Sequence, residues 1–285
     1  MLQRVDRVQL AVRDREAAAE TFAHVLGAVR VRQDRVSALT ARRTVLQAGE
    51  SEFELLEPEG DGSVANFVER WGEGLYAAGF STADVQALAA RFDAEGVWYA
   101  AEGDQLFIGG DQTFGMPVVV SPAAPRERAG LITWLYEVTN VVGDWQAAAE
   151  RYTRIFGLDP ARFCPIDSPQ YGYRGTLTLF DPPNCLDRIE ITQTYDPEKP
   201  MARFHARRGD SLYMCFAETD DAGAIERRLR ERNLRYAYTN PRNPAEGLFI
   251  HPSALHGMLM GISLTNVAWV WSGRPDLAPA GSQPH

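Results

Sequence analysis

The sequence predicts an α+β fold in which one domain, made of two βαβββ modules, occurs twice in tandem. Three observations support this prediction: an ordered internal repeat, matching strand and helix patterns in both copies, and a proline-rich segment between them. The length of 285 residues also fits two domains of ordinary size. We place the first domain at residues 1–122, a linker at 123–130, the second domain at 131–271 and a disordered tail at 272–285.

The repeat begins with a strand and a helix. Residues 8–14 and 138–144 are alternating apolar runs, 130 positions apart, and each ends on an aspartate suited to begin a helix. A glycine follows thirteen residues after each aspartate, at Gly27 and Gly157, where a helix would end. Both copies are therefore predicted to open with the same strand–helix unit.

The rest of the repeat follows in the same order. Residues 65–76 match residues 202–213 at an offset of 137, and a strand and a helix follow each of them. Residues 106–108 and 248–250 then pair at an offset of 142. Since an ordered series of matches is improbable by chance, we infer a duplication that gives four modules in all.

Composition limits the function classes. Net charge is −9, with 38 acidic and 29 basic residues and no block of Lys or Arg, so we expect no nucleic-acid partner. Residues 1–10 alternate instead of forming an apolar signal segment, and no apolar run approaches the ~20 residues of a membrane span. We therefore expect a cytoplasmic protein that acts on a small molecule without a membrane partner, and we leave a homodimer open.

Several segments carry a family resemblance. Residues 53–58, 60–67 and 72–76 resemble the stretch between the two modules of methylmalonyl-CoA epimerase-like proteins, which are vicinal oxygen chelate proteins of the glyoxalase, bleomycin resistance and extradiol dioxygenase superfamily. Residues 249–253 and 257–261 resemble the closing hairpin of that family. The resemblance implies that each domain forms a cup-shaped mixed sheet, with a divalent metal held by four side chains inside the cup.

The positions that match the family's metal ligands hold mostly other residue types. They are Arg7, Glu54, Ala77 and Val119 in the first domain, and Glu137, Glu190, Met214 and Gly261 in the second. Only three of the eight could bind a metal, so we expect no tightly bound metal and no other cofactor. A divalent metal on Glu137 and Glu190 stays an open alternative. An iron dioxygenase is rejected because the two histidines that it needs are missing from these positions.

The resemblance also assigns roles to the residues that remain. In the first domain, Arg7 opposite Glu54 either binds a substrate carboxylate or enolate oxygen or forms a purely structural salt bridge. In the second domain, Glu137 and Glu190 are expected to face each other across the cup and to raise each other's pKa, so that one serves as general base. The alternative is that either glutamate points elsewhere or pairs with an arginine.

Other side chains are candidate substrate contacts. Tyr76 and Tyr213 each precede a lost ligand position, so strict alternation turns them away from the cup, whereas a shift of one residue brings Tyr213 inside as a donor. Tyr171 and Tyr173 lie in a glycine-containing loop and are candidates for an aromatic lid, or are simply loop residues. His256 is placed at the rim of the second cup.

The function expected from these residues is that of a lyase or isomerase of glyoxalase or epimerase type. It would move a proton next to the carbonyl of a small oxygenated or acyl substrate, through Glu137 and Glu190 and without a tightly bound metal. The alternative is a metal-free ligand-binding or drug-sequestering protein without catalysis.

Overall fold

A computed structural model describes residues 1–272 and Asp276. The first copy consists of two βαβββ modules joined by a helix. Its elements are β1 (Leu2–Ala11), α1 (Arg15–Leu26), β2 (Val29–Val36), β3 (Ala41–Ala48), β4 (Ser51–Pro58), the joining helix α2 (Ser63–Trp71), β5 (Gly74–Thr82), α3 (Val85–Ala94), β6 (Ala100–Glu102), β7 (Gln105–Ile108) and β8 (Val118–Pro122).

The second copy repeats this order and adds a short helix. Its elements are β9 (Leu135–Val141), α4 (Trp145–Phe156), β10 (Phe163–Ser168), β11 (Tyr173–Leu179), β12 (Arg188–Thr194), the joining helix α5 (Pro200–Arg208), β13 (Ser211–Thr219), α6 (Ala222–Glu231), β14 (Tyr236–Tyr238), β15 (Gly247–Ile250), β16 (Leu259–Leu264) and α7 (Val267–Trp271). The predicted fold class is confirmed. The predicted tail at 272–285 lies outside the described residues, apart from Ser272 and Asp276.

Each copy forms one curled, eight-stranded mixed sheet. The strand order is β2-β3-β4-β1-β5-β8-β7-β6 in the first sheet and β10-β11-β12-β9-β13-β16-β15-β14 in the second. In each sheet the first strands of the two modules pair antiparallel at the centre, and each first strand runs parallel to the last strand of its own module. Four equivalent strands therefore meet at the floor of each cup.

The helix ends are those that the sequence predicts. The Asp14 side chain accepts hydrogen bonds from two backbone N–H groups of the first turn of α1, and Asp144 does the same for α4. Gly27 and Gly157 end these helices in the left-handed conformation, at φ of 67° and 66°. These caps fix where the strand–helix units begin and end.

One apolar core joins the two copies. It contains the helices and the convex faces of both sheets, and rings of the two copies meet in it, as between Phe80 and Phe156 at 5.9 Å. The concave faces carry two separate apolar clusters, one for each copy. Because the convex faces are used for the core, the two concave faces remain as two separate cups.

Equivalent positions of the two copies make equivalent contacts across the shared core. The Val5 N–H donates to Asp187 at 2.6 Å, and the Leu135 N–H donates to the Ser51 hydroxyl at 2.8 Å. Helix α1 packs on α6 as α3 packs on α4. The copies are therefore related by a pseudo-twofold axis. None of the described helices is long and apolar enough to cross a membrane.

Candidate functional site

The two candidate glutamates of the second cup lie on neighbouring strands. In the parallel pair β9–β12, Glu137 is opposite Arg188, and Thr139 is opposite Glu190. Since side chains two residues apart share a face, all four point to the cup side. The expectation that Glu137 and Glu190 face each other across the cup is wrong, because the first and last strands of one module are adjacent.

Glu137 is tied to an arginine, which is the alternative that the sequence left open. Arg188 Nε donates to Glu137 Oε2 at 2.6 Å, and the two side chains are only 3% and 5% exposed. The guanidinium of Arg188 also lies 5.1 Å from the centre of the Tyr136 ring. Its Nη1 is buried and has no hydrogen-bond partner among the described residues. This N–H group is free to bind an oxygen of a ligand.

Glu190 is a buried carboxyl that forms no ion pair with any described residue. The Thr139 hydroxyl donates to Glu190 Oε2 at 2.6 Å. Burial, together with the nearby charge of Glu137, raises the pKa of Glu190 to about 8. The Tyr173 hydroxyl lies beside it, and burial next to Glu190 raises the pKa of Tyr173. A carboxyl with this pKa is mostly protonated at pH 7 and can exchange a proton near neutral pH.

Aromatic rings form the wall of the second cup. Phe216 is 6.0 Å from Tyr136, 5.7 Å from Phe249 and 5.9 Å from Trp271 of α7, measured between ring centres. A Cβ atom at Gly261 would lie 2.0 Å from the Phe216 ring. The family's ligand position at Gly261 is thus taken by the Phe216 ring, and any larger residue there would displace it.

Tyr213 lies on the cup side because the strand contains a bulge. Leu212 pairs with Asn140 and Met214 pairs with the next residue, Thr139, so Tyr213 is the extra residue of β13. Its ring packs on Phe204 at 4.8 Å, and burial, with the charge of Glu190, raises its pKa. Strict alternation, which turned Tyr213 away, is therefore the wrong interpretation.

The equivalent bulge in the first copy explains Tyr76. Leu75 pairs with Leu10 and Ala77 pairs with Gln9, so Tyr76 and Ala77 both contact the apolar cluster of the first cup. The Tyr76 hydroxyl donates to Ser63 at 2.8 Å. Tyr76 therefore packs in the first cup instead of facing away from it.

The remaining predicted contacts of the second cup separate into two groups. Tyr171 and Tyr173 stack with ring centres 6.5 Å apart, and Tyr171 is 38% exposed at the edge of the cup. His256 is elsewhere: its ring nitrogens hydrogen-bond Glu73 at 2.9 Å and Thr21 at 3.1 Å, both in the first copy. The placement of His256 at the rim is wrong because the turn before β16 packs against the other copy.

The first cup is filled by charges that satisfy one another. Arg7 Nη1 lies 2.7 Å from Glu54 Oε1, so the ion pair expected between these two residues is present. Burial would raise the pKa of Glu54, but Arg7 and Arg43 outweigh it and lower that pKa to about 2. The connected network comprises Arg7, Arg32, Arg43 and Arg126 with Asp6, Asp34, Glu52 and Glu54. A cavity of about 410 Å³ opens beside it.

The sequence missed Arg188, Arg43 and Glu52. Arg188 and Glu190 stand two residues apart in a strand, and so do Glu52 and Glu54, so period-2 alternation is the signal that places each pair on one face. Arg43 comes from β3, and nothing local in the sequence aligns it with Glu54. Its role depends on strand register.

The residues of the second cup do not fit the family's metal. Among the described residues, no three His, Cys, Asp or Glu side chains cluster in a way that could hold a metal ion. At the matching positions Glu137 is bound to Arg188, Met214 is apolar, and Gly261 has no side chain. The expectation of no cofactor stays a prediction.

Comparisons with known proteins agree with the fold. Residues 6–113 match the sequence model of the Glyoxalase/Bleomycin resistance protein/Dioxygenase superfamily. A mutant of 4-hydroxymandelate synthase from Streptomyces coelicolor has a TM-score of 0.74 and 16% identity, with 93% of each chain covered. A xylose isomerase-like TIM barrel/4-hydroxyphenylpyruvate dioxygenase fusion protein has a TM-score of 0.60 and 13% identity, covering 97% of this chain and 52% of the other.

A methylmalonyl-CoA epimerase from Mycobacterium tuberculosis is 24% identical, with a TM-score of 0.41, and covers 50% of this chain and 93% of the other. No curated protein matches the chain by sequence. At these identities the structural similarities show the fold and leave the activity to the residues of the site.

Proposed function

We propose that the chain is a lyase or isomerase that moves a proton next to a carbonyl group in the second cup. It has the tandem fold of the vicinal oxygen chelate superfamily, and a glyoxalase-type sequence model matches residues 6–113. One observation carries the proposal: Glu190 is a buried carboxyl with a pKa of about 8, beside a buried arginine that has an unpartnered N–H group. Perturbed groups of this kind cluster at active sites.

Glu190 is the proposed acid and base. A group whose pKa lies near the working pH can both give and take a proton at useful rates. The ionised form would remove a proton from the carbon next to the carbonyl, and the neutral form would return it or protonate a leaving group. Thr139 holds one carboxyl oxygen at 2.6 Å, which fixes the direction in which the other oxygen points.

Arg188 is the proposed anchor for the substrate oxygen. Its buried Nη1 has no partner in the part of the chain that the structure describes, so it can bind a carboxylate or the oxyanion that develops when the proton leaves. Glu137 is then a positioning residue, because its ion pair with Arg188 Nε fixes the guanidinium plane. In this arrangement Tyr173 and Tyr213 are further contacts on the rim beside Glu190.

The first cup is proposed as a scaffold. All of its arginines are engaged by carboxylates, so a substrate anion would have to displace existing ion pairs. Substrate binding by Arg7 and Glu54 is therefore the weaker of the two roles that the sequence allowed. An acyl thioester substrate, a homodimer and a cytoplasmic location stay predictions.

A second candidate function is favoured by the aromatic wall. Phe216, Phe249 and Trp271 would give a planar ligand an aromatic contact surface without any chemistry. This candidate is a metal-free ligand-binding protein. It predicts that truncation of Phe216 weakens binding and that Glu190→Gln does not.

The deciding experiment is deuterium exchange in D₂O, followed by proton NMR. A panel of small 2-oxo acids, hydroxy ketones and short acyl thioesters is incubated with the protein, and loss of the proton next to the carbonyl is measured. We expect exchange with at least one compound and a 10²- to 10⁴-fold loss in Glu190→Gln. The control is Glu198→Gln, an exposed glutamate outside the cup. Equal exchange rates in wild type and Glu190→Gln would contradict the proposal.

A further inference from the structure

The two helices that join the modules share an arginine enclosed by aromatic rings. The guanidinium carbon of Arg208, at the end of α5, lies 5.4 Å from the ring centre of Phe67, 5.0 Å from that of Trp71 and 5.1 Å from that of Phe204. Phe67 and Trp71 belong to α2, and Phe204 belongs to α5. The guanidinium is thus enclosed from both copies.

Arg208 has no carboxylate partner. Among the described residues no Asp or Glu oxygen lies within 4.0 Å of its guanidinium, although the chain has 38 acidic residues. Its Nε is buried without a hydrogen-bond partner, and its Nη2 makes only a 3.5 Å contact with the Trp71 carbonyl. Burial, together with the charge of Arg207, lowers the pKa of Arg208 to about 10. An arginine kept in such surroundings is normally paired.

Two further arginines border Arg208: Arg207 is its neighbour in α5, and Arg70 stacks on the Trp71 ring that Arg208 also contacts. The Arg70 guanidinium lies 4.6 Å from the Trp71 ring, and the Arg207 charge acts directly on Arg208. Both side chains are exposed, and neither is in an ion pair with a described residue. Three cations therefore share a small surface of a chain whose net charge is −9. The repulsion between Arg207 and Arg208 is a cost that an anion would remove.

Packing on an aromatic ring does not by itself explain why Arg208 has no carboxylate partner among the described residues, because a second arginine of the chain packs on a ring and still has one. Trp71 and Arg208 occupy equivalent positions of the two copies, 137 residues apart, and stack on each other near the pseudo-twofold axis. Arg4 and Trp134 are also equivalent, 130 residues apart. They stack on each other at a second place in the shared interface, with 5.4 Å between the guanidinium carbon and the ring centre. Arg4, however, also pairs with Asp187 at 3.2 Å. Of these two pairs, the one at Arg208 has no counter-charge among the described residues.

We propose that Arg208, with Arg70 and Arg207, binds an oxyanion group of a small molecule, either a phosphate ester or a carboxylate. Guanidinium groups bind both anions through paired N–H donors. The site lies between the two cups, because Phe204 packs on Tyr213 of the second cup at 4.8 Å and Phe67 packs on Tyr76 of the first at 5.5 Å. It does not depend on the role of Glu190.

The test is calorimetric titration of the folded protein with pyrophosphate and, separately, with citrate, at low and at physiological salt. We expect saturable binding of at least one anion, which identifies the phosphate or the carboxylate source, and at least 10-fold weaker binding in Arg208→Gln, since a charged hydrogen bond contributes about 1.5–3 kcal/mol. The matched control is Arg203→Gln, an exposed arginine of α5 that contacts the Glu198 carbonyl. It should bind within about 2-fold of wild type.

A second variant covers the case in which Arg208→Gln fails to fold. Replacing the exposed Arg70 and Arg207 together by glutamine leaves the enclosed side chain in place and should weaken binding several-fold, since each charge contributes only through space. Absence of saturable binding in wild type, or binding that is equal in wild type, Arg208→Gln and the double variant, would overturn the proposal.

Discussion

The two cups place a buried glutamate at the same position and give it opposite properties. Glu54 lies opposite Gln9 in the parallel pair β1–β4, and Glu190 lies opposite Thr139 in the equivalent pair β9–β12. Gln9 and Thr139 each donate to their glutamate, at 2.7 and 2.6 Å. Yet the pKa of Glu54 is lowered to about 2 and that of Glu190 is raised to about 8.

The difference between the two pKa values comes from the charged residues next to each glutamate. Two residues before each glutamate, the first cup has Arg7 on the first strand opposite Glu52 on the last strand of the module. The second cup has Glu137 on the first strand opposite Arg188 on the last, so the positive and negative residues have changed strands. In the first cup a further arginine, Arg43, also reaches Glu54 at 3.1 Å. The equivalent position in the second cup is Gly175, which supplies no charge. The same fold therefore keeps Glu54 ionised in the first cup and lets Glu190 titrate near neutral pH in the second.

The largest stability effect is expected in the first cup. Glu54→Gln leaves Arg7 and Arg43 buried without their common partner, which commonly costs about 3–5 kcal/mol. Denaturant unfolding at pH 7 measures the change, with the exposed Glu20→Gln on α1 as the control, expected within about 0.5 kcal/mol of wild type. A loss below 1 kcal/mol in Glu54→Gln would mean that the network does not hold the first cup together.

The next effect tests the wall of the second cup. Gly261→Ala brings a methyl group to 2.0 Å from the Phe216 ring, and overpacking of this kind costs about 1–3 kcal/mol. Adding Phe216→Leu should recover part of the loss, since the two residues are in contact. If the double variant is destabilised by the sum of the two single changes, the ring does not fill the ligand position as described.

The pH dependence of stability should differ between the two glutamates. Between pH 4.5 and about 8 folded Glu190 keeps a proton that the unfolded chain has lost, so stability falls as pH rises across this window, at up to about 1.4 kcal/mol per pH unit. Asp187 and Glu218, with pKa values raised by burial to about 6 and 7, act in the same direction. Glu54 acts oppositely, and its contribution is lost as pH falls from 4.5 through about 2.

The measurement is the free energy of unfolding from pH 5 to 8.5 in wild type and Glu190→Gln. The difference between the two proteins should change steadily with pH, in favour of the variant at high pH. Parallel curves would show that Glu190 titrates in the folded protein as it does in the unfolded chain.

The smallest expected change makes the second cup more like the first. Glu137→Gln removes the charge that raises the pKa of Glu190 and frees Arg188 to act on it, so the pKa of Glu190 should fall. The stability difference between the Glu137→Gln protein and its Glu190→Gln double variant should stop changing above the folded-state pKa of Glu190, so the pH at which it levels off reports this shift. Levelling off at the same pH as in the wild-type background, or at a higher pH, would show that Glu137 is not coupled to Glu190.

The fold could be predicted from the sequence because its signals are local. Asp14 and Gly27, repeated at an offset of 130, fix the ends of a helix, and alternating runs fix the strands around it. The site could be predicted only in part. The family resemblance identifies Glu190, but its raised pKa depends on burial and on the charge of Glu137, which the register of β12 places nearby.

Backbone irregularity and distant contacts set the limit for the other residues. Tyr213 was ambiguous because a bulge adds one residue without leaving a composition signal. His256 was misplaced because its partners, Glu73 and Thr21, lie more than 180 positions away in sequence. Such contacts follow from how the two copies pack, which alternation within a strand does not encode.

Glu190 is a carboxyl kept neutral by its surroundings, whereas Glu54, at the equivalent position, stays ionised. Side-chain ¹³C NMR titration of the glutamate carboxyl groups tests it directly, with Glu190→Gln and Glu54→Gln used to assign the two signals. We expect the Glu190 signal to titrate with a pKa of about 8 and the Glu54 signal not to titrate above pH 4. A Glu190 pKa near the ordinary 4.5 would contradict the comparison between the cups and the proton-transfer proposal that rests on it.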